Sequence, residues 1–407
     1  MKNYNCRVCK KKIYELMSFG EMPIANSFIL RKEQKQFFFN LKIGYCTNCY
    51  TFQVIEIPKA EKMFNENYAY LASTSLSMKK HWEELGNEMI KTKNIGKNSF
   101  VVEVGSNDGI FLENISKKNI PHLGIDASKN VCEIAQKKGI KTLNTFFNVK
   151  NATEIKKNYG LADLIVSTNT MHHIEDINSV AEGMSILLKD DGVIITEDPS
   201  LLEMIKKNSY DQIYAEHMYI WSLASMNSLF NKYGLEIFDI INNDFHGGCS
   251  RYFIGRKNFR PVSKNVISHT ELENKHGIKN INTFKNFSKN NYSSKDKLNK
   301  ILNNLKAQGK NIVGYGAPAK STTILNFCEI DYNTIDVIYD NSSTKIGKYT
   351  PGKSLIKIED SDNFKFEKSE YCVLFAWNHK EEILNKEKNF TNNGGKWIIP
   401  VADIKII

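Results

Sequence analysis

Tyr214, Glu216 and His217 lie within four residues of one another and combine the groups that carbon-acid chemistry needs. An imidazole titrates near neutral pH and can take a proton, and a nearby phenol can donate to an oxygen that gains charge. They sit in the run Tyr210-Asp211-Gln212-Ile213-Tyr214-Ala215-Glu216-His217-Met218-Tyr219-Ile220-Trp221-Ser222. The same run would also suit a surface turn with one aromatic face in the core, and the residues alone leave both readings open. A second set is Cys6, Cys9, Cys46 and Cys49, spaced as two Cys-x-x-Cys pairs. Four thiolates so arranged close around one tetrahedral metal, usually zinc, and leave no position for water. The expected role is a structural Zn2+ site, with two redox or idle pairs as the alternative. The loop between the pairs carries Gly20-Glu21-Met22-Pro23-Ile24-Ala25-Asn26-Ser27-Phe28, not the basic hairpin of a nucleic-acid ribbon.

A third set lies on a glycine turn. Phe100-Val101-Val102-Glu103-Val104 is apolar and β-branched, and Gly105-Ser106-Asn107-Asp108-Gly109 follows it and leads into a helical pattern. Such a turn aims backbone N–H groups at a ligand. Two glycines do not make the three-glycine dinucleotide fingerprint. Asp126 ends the next apolar run, 21 residues beyond Gly105, where a carboxylate binds a ribose diol. NAD and S-adenosylmethionine both carry that diol. The wording Glu-Val-Gly-Ser-Asn-Asp-Gly, with the turn Gly124-Ile125-Asp126-Ala127-Ser128, favours the methyl donor. Asn169 and Thr170, just past another apolar run, would flank its methionine part, and His172 and His173 beyond them could face an acceptor. A fourth set, Gly314-Tyr315-Gly316-Ala317-Pro318-Ala319-Lys320, joins a strand to a helix and makes a phosphate seat. Asp340 ends the strand after it.

These groups need a scaffold that gathers strand ends. Apolar runs at 100–104, 122–126, 164–168, 192–197, 235–241 and 251–256 read as strands. Helical patterns at 109–117, 130–138 and 177–188 alternate with them, which gives a doubly wound α/β domain. A helical stretch over 67–91 precedes it, with Leu76, Trp82, Leu85, Met89 and Ile90 on one face. Residues 257–292 read as a basic, Asn-rich connector containing a helix. A helix over 294–308, the glycine turn, a helix over 319–327 and strands at 335–339, 371–376 and 396–401 make a second, smaller Rossmann-like unit. The first sixty residues read as short and turn-rich. The expected domains are 1–66, 67–257 and 258–407, the first binding zinc.

Of the 407 residues 41% are hydrophobic and 25% charged, the balance of a soluble globular protein. No apolar run reaches about 18 residues and the N-terminus has no export-signal core, so a cytoplasmic chain without membrane attachment is expected. The net charge is +10, but the lysines are spread along the whole chain. No arginine cluster interleaves with aromatics, and no nucleic-acid partner is expected. Cys132, Cys249, Cys328 and Cys372 read as small core residues.

In this order the pieces resemble the three-domain S-adenosylmethionine-dependent C-methyltransferases of nucleotide-linked deoxysugars, over essentially the whole chain. The resemblance is carried by the cysteine pairs followed by Phe19-Gly20-Glu21-Met22-Pro23-Ile24-Ala25-Asn26, by Tyr68-Ala69-Tyr70-Leu71-Ala72-Ser73 and by Val102–Gly109. It continues through Tyr214-Ala215-Glu216-His217, His246-Gly247-Gly248, Gly314–Lys320, Pro351-Gly352 and Ala376-Trp377-Asn378. It implies a zinc-binding front domain, a class I methyltransferase core and a rear Rossmann-like domain that binds substrate. The implied reaction is methylation at carbon 3 of a nucleotide-linked 4-keto-6-deoxysugar through an enolate. Carried over by motif, His217 is the base, Tyr214 and Glu216 position it or hold the sugar, and His173 and Tyr70 lie near the keto oxygen and the incoming methyl. The cofactor contacts implied are Glu103, Gly105, Ser106, Asn107, Asp108, Asp126, Ala127 and Asn169. Those to substrate are Asn26, His246, Tyr315, Ala317, Pro318, Lys320 and Asn378. A monomer is expected. The chain departs from the family pattern at His172-His173, commonly one His after a small residue, at Trp221, at Cys249, and in the Ser-Ser-Thr after Asp340-Asn341. The first and third of these could reshape the sugar pocket and leave the sugar and the methylated carbon open. A hydroxyl, an amine or a small natural product as acceptor is the alternative, and an RNA-acting zinc-ribbon protein a more distant one.

Overall fold

The computed structural model describes residues 4–59, 63, 76–92 and 95–407. The first sixty residues, expected as turns, form an antiparallel sheet of β1 (Tyr14–Pro23), β2 (Phe38–Tyr45) and β3 (Phe52–Val54). The register shifts twice along β1, between Glu15 and Met17 and between Ser18 and Glu21. Those irregularities break the polar–apolar alternation by which a half-buried strand is recognised.

The central sheet has seven strands. β4 (Val101–Val104), β5 (His122–Asp126), β6 (Thr142–Asn144), β7 (Ala162–Thr168) and β8 (Leu188–Pro199) run parallel. β9 (Tyr219–Ile220) lies outside this sheet, and β10 (Leu235–Asn243) and β11 (Cys249–Arg256) complete it, β11 alone running antiparallel to the others. The order β10-β11-β8-β7-β4-β5-β6 reverses direction of winding at β4. Strands covered on both faces read as continuous apolar runs, as β4 and β7 do. The crevice at the reversal is where ligands of such sheets bind. β9 instead extends the front sheet: Phe52 pairs with Ile220, and the Val54 N–H donates to the Met218 carbonyl at 2.9 Å.

The rear sheet contains β12 (Ile312–Tyr315), β13 (Val337–Asp340), β14 (Lys357–Asp360), β15 (Tyr371–Leu374), β16 (Lys396–Ile399) and β17 (Lys405–Ile406). Its order is β14-β13-β12-β15-β16-β17, parallel except for the last strand. The helix leading into it spans Ile281–Ala307 and starts 13 residues before the expected 294. Its Lys/Asn-rich first half hides a seam of Phe284, Phe287 and Asn291, buried against the front sheet, with Tyr45 stacked on Phe284 at 4.0 Å. The expected connector also holds a second helix, Lys264–Lys275, whose Glu273 accepts from the N–H groups of Leu223 and Ala224 at 2.6 and 3.1 Å.

The helix Leu76–Thr92 buries Met78, Trp82, Leu85 and Met89 as its pattern requires. The preceding part of the expected stretch, with Tyr70, lies outside the described residues. The helix after the first glycine turn runs Leu112–Ser116, later than expected, because Gly109 still belongs to the turn with φ +79°. Cys132, Cys249, Cys328 and Cys372 are all buried. Among the described residues no helix is long and apolar enough to cross a membrane.

Candidate active site

Loops from all three sheets line one cavity of about 1440 Å³. At one end stands the turn after β4. A Cβ on Gly105 would meet the Thr170 side chain at 2.3 Å, and its φ of +76° disfavours any side chain. Asp126 accepts the N–H of Asn107 at 2.9 Å and that of Ser128 at 2.8 Å. Burial raises its carboxyl above the usual range, and the two N–H groups work the other way. Deeper in the wall, burial and then the charges of Asp126 and Asp108 push Glu103 well up. Glu103 Oε2 and Ser106 Oγ are buried with no hydrogen-bond partner among the described residues. Asn169, in the left-handed region at φ 51°, donates its N–H to the Glu197 carbonyl at 2.6 Å. Glu103, Gly105, Ser106, Asn107, Asp126, Ala127 and Asn169 all line this end. Asp108 does not: it is still in the turn, where the Lys138 ammonium holds its buried carboxylate at 3.4 Å and its carbonyl at 2.9 Å. A side-chain-free cradle, a strand-end acid and orphaned acceptors fit a nucleoside that carries a cationic amino-acid tail.

At the middle of the cavity the loop before β9 carries Tyr214, Glu216 and His217. His217 Nδ1 lies 2.7 Å from the Gln212 carbonyl, which only accepts, so Nδ1 holds the proton. The Nε2 lone pair then accepts from the Tyr214 hydroxyl at 2.5 Å. Burial, and then the neighbouring His172 and His173, hold His217 well below its ordinary pKa and keep it neutral. His173 is oriented in the same way, with Nδ1 donating to the Glu216 carbonyl at 2.7 Å. Glu216 Oε2 accepts from Asn26 Nδ2 at 2.6 Å, and burial lifts its carboxyl to about 7 against the pull of that bond. Glu216 Oε1 has no partner among the described residues.

The surface-turn reading of this segment is corrected, since Tyr210 and Asp211 are fully buried and His217 nearly so. The cause is the helix Ala319–Phe327, which packs over the loop. Its Thr323 hydroxyl donates to the Ile213 carbonyl at 2.7 Å and its Thr322 hydroxyl to the Ala25 carbonyl at 2.9 Å. One rear helix thereby holds both the Asn26 loop and the Tyr214–His217 loop. Two further residues meet here that the sequence motifs do not pair. His172 Nδ1 lies 2.5 Å from Asp198 Oδ1, 26 residues on in sequence. The signal available was the acid pair Glu197-Asp198 at the end of β8.

The far end is formed by the second glycine turn. Asp340 accepts the N–H groups of Ala317 and Ser342 at 2.6 and 2.8 Å. The Lys345 ammonium lies 3.6 Å from it and donates to the Ala317 carbonyl at 2.9 Å. Lys320 Nζ sits 4.9 Å from the centre of the Trp377 ring, whose Nε1 donates to Asp211 Oδ2 at 2.6 Å. Asn26, His246, Tyr315, Pro318, Lys320 and Asn378 line the cavity. Ala317 does not, because its methyl is buried behind the turn and its N–H is occupied by Asp340. The Tyr315 hydroxyl donates to Glu387 Oε1 at 2.7 Å.

Away from the cavity, Cys6 and Cys49 sulfurs stand 3.5 Å apart and those of Cys9 and Cys46 3.4 Å apart. A tetrahedron of Zn–S bonds of about 2.3 Å has edges of about 3.8 Å, so the four thiols fit zinc. Gln53 Nε2 donates to Cys6 at 3.1 Å, the kind of outer contact that holds a thiolate.

Three family models match successive parts of the chain: a zinc binding domain over residues 6–64, a methyltransferase domain over 77–240 and a C-methyltransferase C-terminal domain over 244–402. The C-methyltransferase NovU of Streptomyces niveus is 30% identical, over 99% of this chain and 96% of that protein. Among solved structures, an S-adenosylmethionine-dependent methyltransferase from Clostridium acetobutylicum is 15% identical, over 44% of this chain and 91% of that one, with a TM-score of 0.35. Magnesium protoporphyrin IX methyltransferase from Synechocystis, with bound S-adenosylmethionine, is 10% identical, over 50% and 86%, with a TM-score of 0.35.

Proposed function

Because the chain belongs to the C-methyltransferases, with S-adenosylmethionine as methyl donor and a zinc-bearing front region, we propose that it methylates carbon 3 of a nucleotide-linked 4-keto-6-deoxysugar. The observation that carries this reading is the Tyr214–His217 pair, held between two glycine turns of one cavity. A carbon acceptor needs a base, and a carbonyl beside the carbon makes its proton acidic by delocalisation. In this reading His217 Nε2 takes the carbon 3 proton. The Tyr214 hydroxyl turns from Nε2 to the keto oxygen and donates to it as charge develops. Glu216 Oε1 receives a sugar hydroxyl while Asn26 fixes the other carboxylate oxygen. His173, with its Nδ1 proton directed to the Glu216 carbonyl, stands beside the sugar with Nε2 as an acceptor atom and so is not the donor to the enolate.

When bound, S-adenosylmethionine would supply the methyl group, its sulfur–methyl bond breaking as the carbon–methyl bond forms, with S-adenosylhomocysteine as the leaving group. Glu103, Gly105, Ser106, Asn107, Asp126, Ala127 and Asn169 would hold it, and the cavity wall would exclude water from the reacting centre. The turn from Gly316 to Lys320, with Asp340 and Lys345, would grip the nucleotide. Residues 1–66, 67–257 and 258–407 act as zinc-binding, methyl-transferring and substrate-holding domains of one monomer.

The test is a thermal-shift panel of uridine, thymidine, guanosine and cytidine diphosphate sugars in the presence of S-adenosylhomocysteine. One nucleotide should stabilise the chain well beyond the rest, and the matching 4-keto sugar should exchange its carbon 3 hydrogen with solvent deuterium. If no nucleotide sugar shifts the transition, the acceptor is of another class.

A further inference from the structure

We propose that His172, His173 and His217 form a second metal site that takes a borderline divalent cation such as Zn2+, and that the bound cation switches the base off. Each of the three imidazoles offers one ring nitrogen, and those atoms all lie within 4.8 Å of one another. Their ring centres are 4.0, 4.4 and 5.2 Å apart. Each ring is oriented through its Nδ1: on Asp198 at 2.5 Å, on the Glu216 carbonyl at 2.7 Å and on the Gln212 carbonyl at 2.7 Å. A carboxylate or carbonyl on Nδ1 is the outer support that metal-ligating histidines carry, and Nε2 is then the atom that would exchange its present contact for the cation. Three nitrogen donors with a fourth position open to a cavity is a common zinc arrangement, and imidazole suits Zn2+, Co2+ and Ni2+ better than Mg2+ or Ca2+. Zn–N bonds of about 2.0–2.1 Å call for small ring movements that bring the nitrogens closer.

The consequence for activity follows from lone pairs. With Nδ1 of His217 protonated on the Gln212 carbonyl and Nε2 bound to a cation, that imidazole has no site left for a proton. The Tyr214 hydroxyl would lose its acceptor at the same time. This inhibitory half rests on the reading of His217 as the base, whereas the metal site itself does not.

The test is equilibrium dialysis of the full chain against Zn2+ with metal analysis, followed by deuterium exchange at carbon 3 of the 4-keto sugar. Wild type should take two zinc ions, one on the four cysteines and one on the histidines. His172→Ala should take one and still bind S-adenosylhomocysteine. Asp198→Asn, which keeps the shape and removes the charge, should weaken the second zinc by about 10–100-fold and serves if His172→Ala does not fold. The second zinc should stop exchange, and dialysis to metal-free buffer should restore it. Wild type that takes a single zinc, or a second zinc unaffected in both variants, overturns the site and leaves the base reading untouched. A second zinc that depends on His172 while exchange continues overturns the switch and, with it, His217 as the base.

Discussion

Asp126 and Asp340 occupy the same place in two different sheets. Each ends a parallel strand beside the strand that feeds a glycine turn, and each accepts one N–H from that turn and another from two residues further on. The contacts are Asn107 at 2.9 Å and Ser128 at 2.8 Å for the first, and Ala317 at 2.6 Å and Ser342 at 2.8 Å for the second. Both carboxylates face the one cavity, from opposite ends. The parallel strand arrangement has built the same acid-beside-glycine device twice, once in each of two sheets.

The pair separates the two ligands experimentally. Asp126→Ala is expected to weaken S-adenosylhomocysteine roughly 10–100-fold, the range for loss of hydrogen bonds to a charged group. It should leave nucleotide affinity alone. Asp340→Ala is expected to do the reverse, raising KM for the nucleotide sugar with kcat little changed. Isothermal titration with each ligand reads both. Equal losses of both ligands in either variant would mean that the acids hold the fold and not the ligands.

His217→Asn should retain S-adenosylhomocysteine binding and lose turnover by roughly 10²–10⁴-fold, the usual contribution of a general base. Tyr214→Phe removes the donor and keeps the base. It should therefore lower kcat less and leave some carbon 3 exchange. Should His217→Asn exchange the carbon 3 proton at the wild-type rate, the base lies elsewhere, and Glu216 is then the next group to vary, its carboxyl lifted to about 7 by burial.

Glu197 joins three elements: its carboxylate meets His81 Nε2 at 2.6 Å and Arg251 Nε at 2.7 Å, and its carbonyl holds Asn169. Burial would raise its pKa, but the bond to His81 and the Arg251 charge overcome burial and leave it below the usual carboxylate range. A depressed folded value gives stability that is present above the unfolded value and lost as pH falls through the folded one. The acid limb of the stability curve, below about pH 4.5, should therefore flatten in Glu197→Gln. Arg251→Met leaves the carboxylate buried without its cation and should cost about 3–5 kcal/mol in urea unfolding. Unchanged stability in Arg251→Met would sink the idea that this network pins the helix Leu76–Thr92 to the sheet.

What the sequence disclosed and what it hid follow from how local each signal is. The turn at Gly105 was readable because its strand is a continuous buried run and its glycines have no substitute, with Thr170 2.3 Å from any added Cβ. The helix Ala319–Phe327 and the strand His122–Asp126 also match their expected bounds. β9 is two residues long and exists through its pairing with β3, Gln53 lying opposite Tyr219, 166 positions away in sequence. The support of His172 by Asp198 is likewise a contact between two strand ends, invisible until β7 and β8 are laid side by side. Motif strings located Tyr214, Glu216 and His217, but only the packing of the rear helix turned an exposed-looking loop into a buried one.

That pairing of β3 with β9 also predicts what loss of zinc does. Cys46 and Cys49 lead directly into β3, and Arg7, between the first two cysteines, donates to the carbonyls of Val54 and Ile55 at 2.5 and 2.7 Å. Val54 in turn donates to the Met218 carbonyl, the residue after His217. The metal knuckle is thus two hydrogen bonds from the candidate base, whereas the turn at Gly105–Gly109 belongs to a different sheet. Chelation, or Cys46→Ser, should release the front sheet first and with it the position of His217, because metal binding and folding of such a knuckle are one equilibrium. Turnover should fall steeply while S-adenosylhomocysteine still binds, and added zinc should restore turnover to chelated wild type but not to Cys46→Ser. Metal analysis, titration calorimetry and an initial-rate assay on the same sample decide it. Parallel loss of cofactor binding and turnover would show that the zinc knuckle supports the central sheet as a whole.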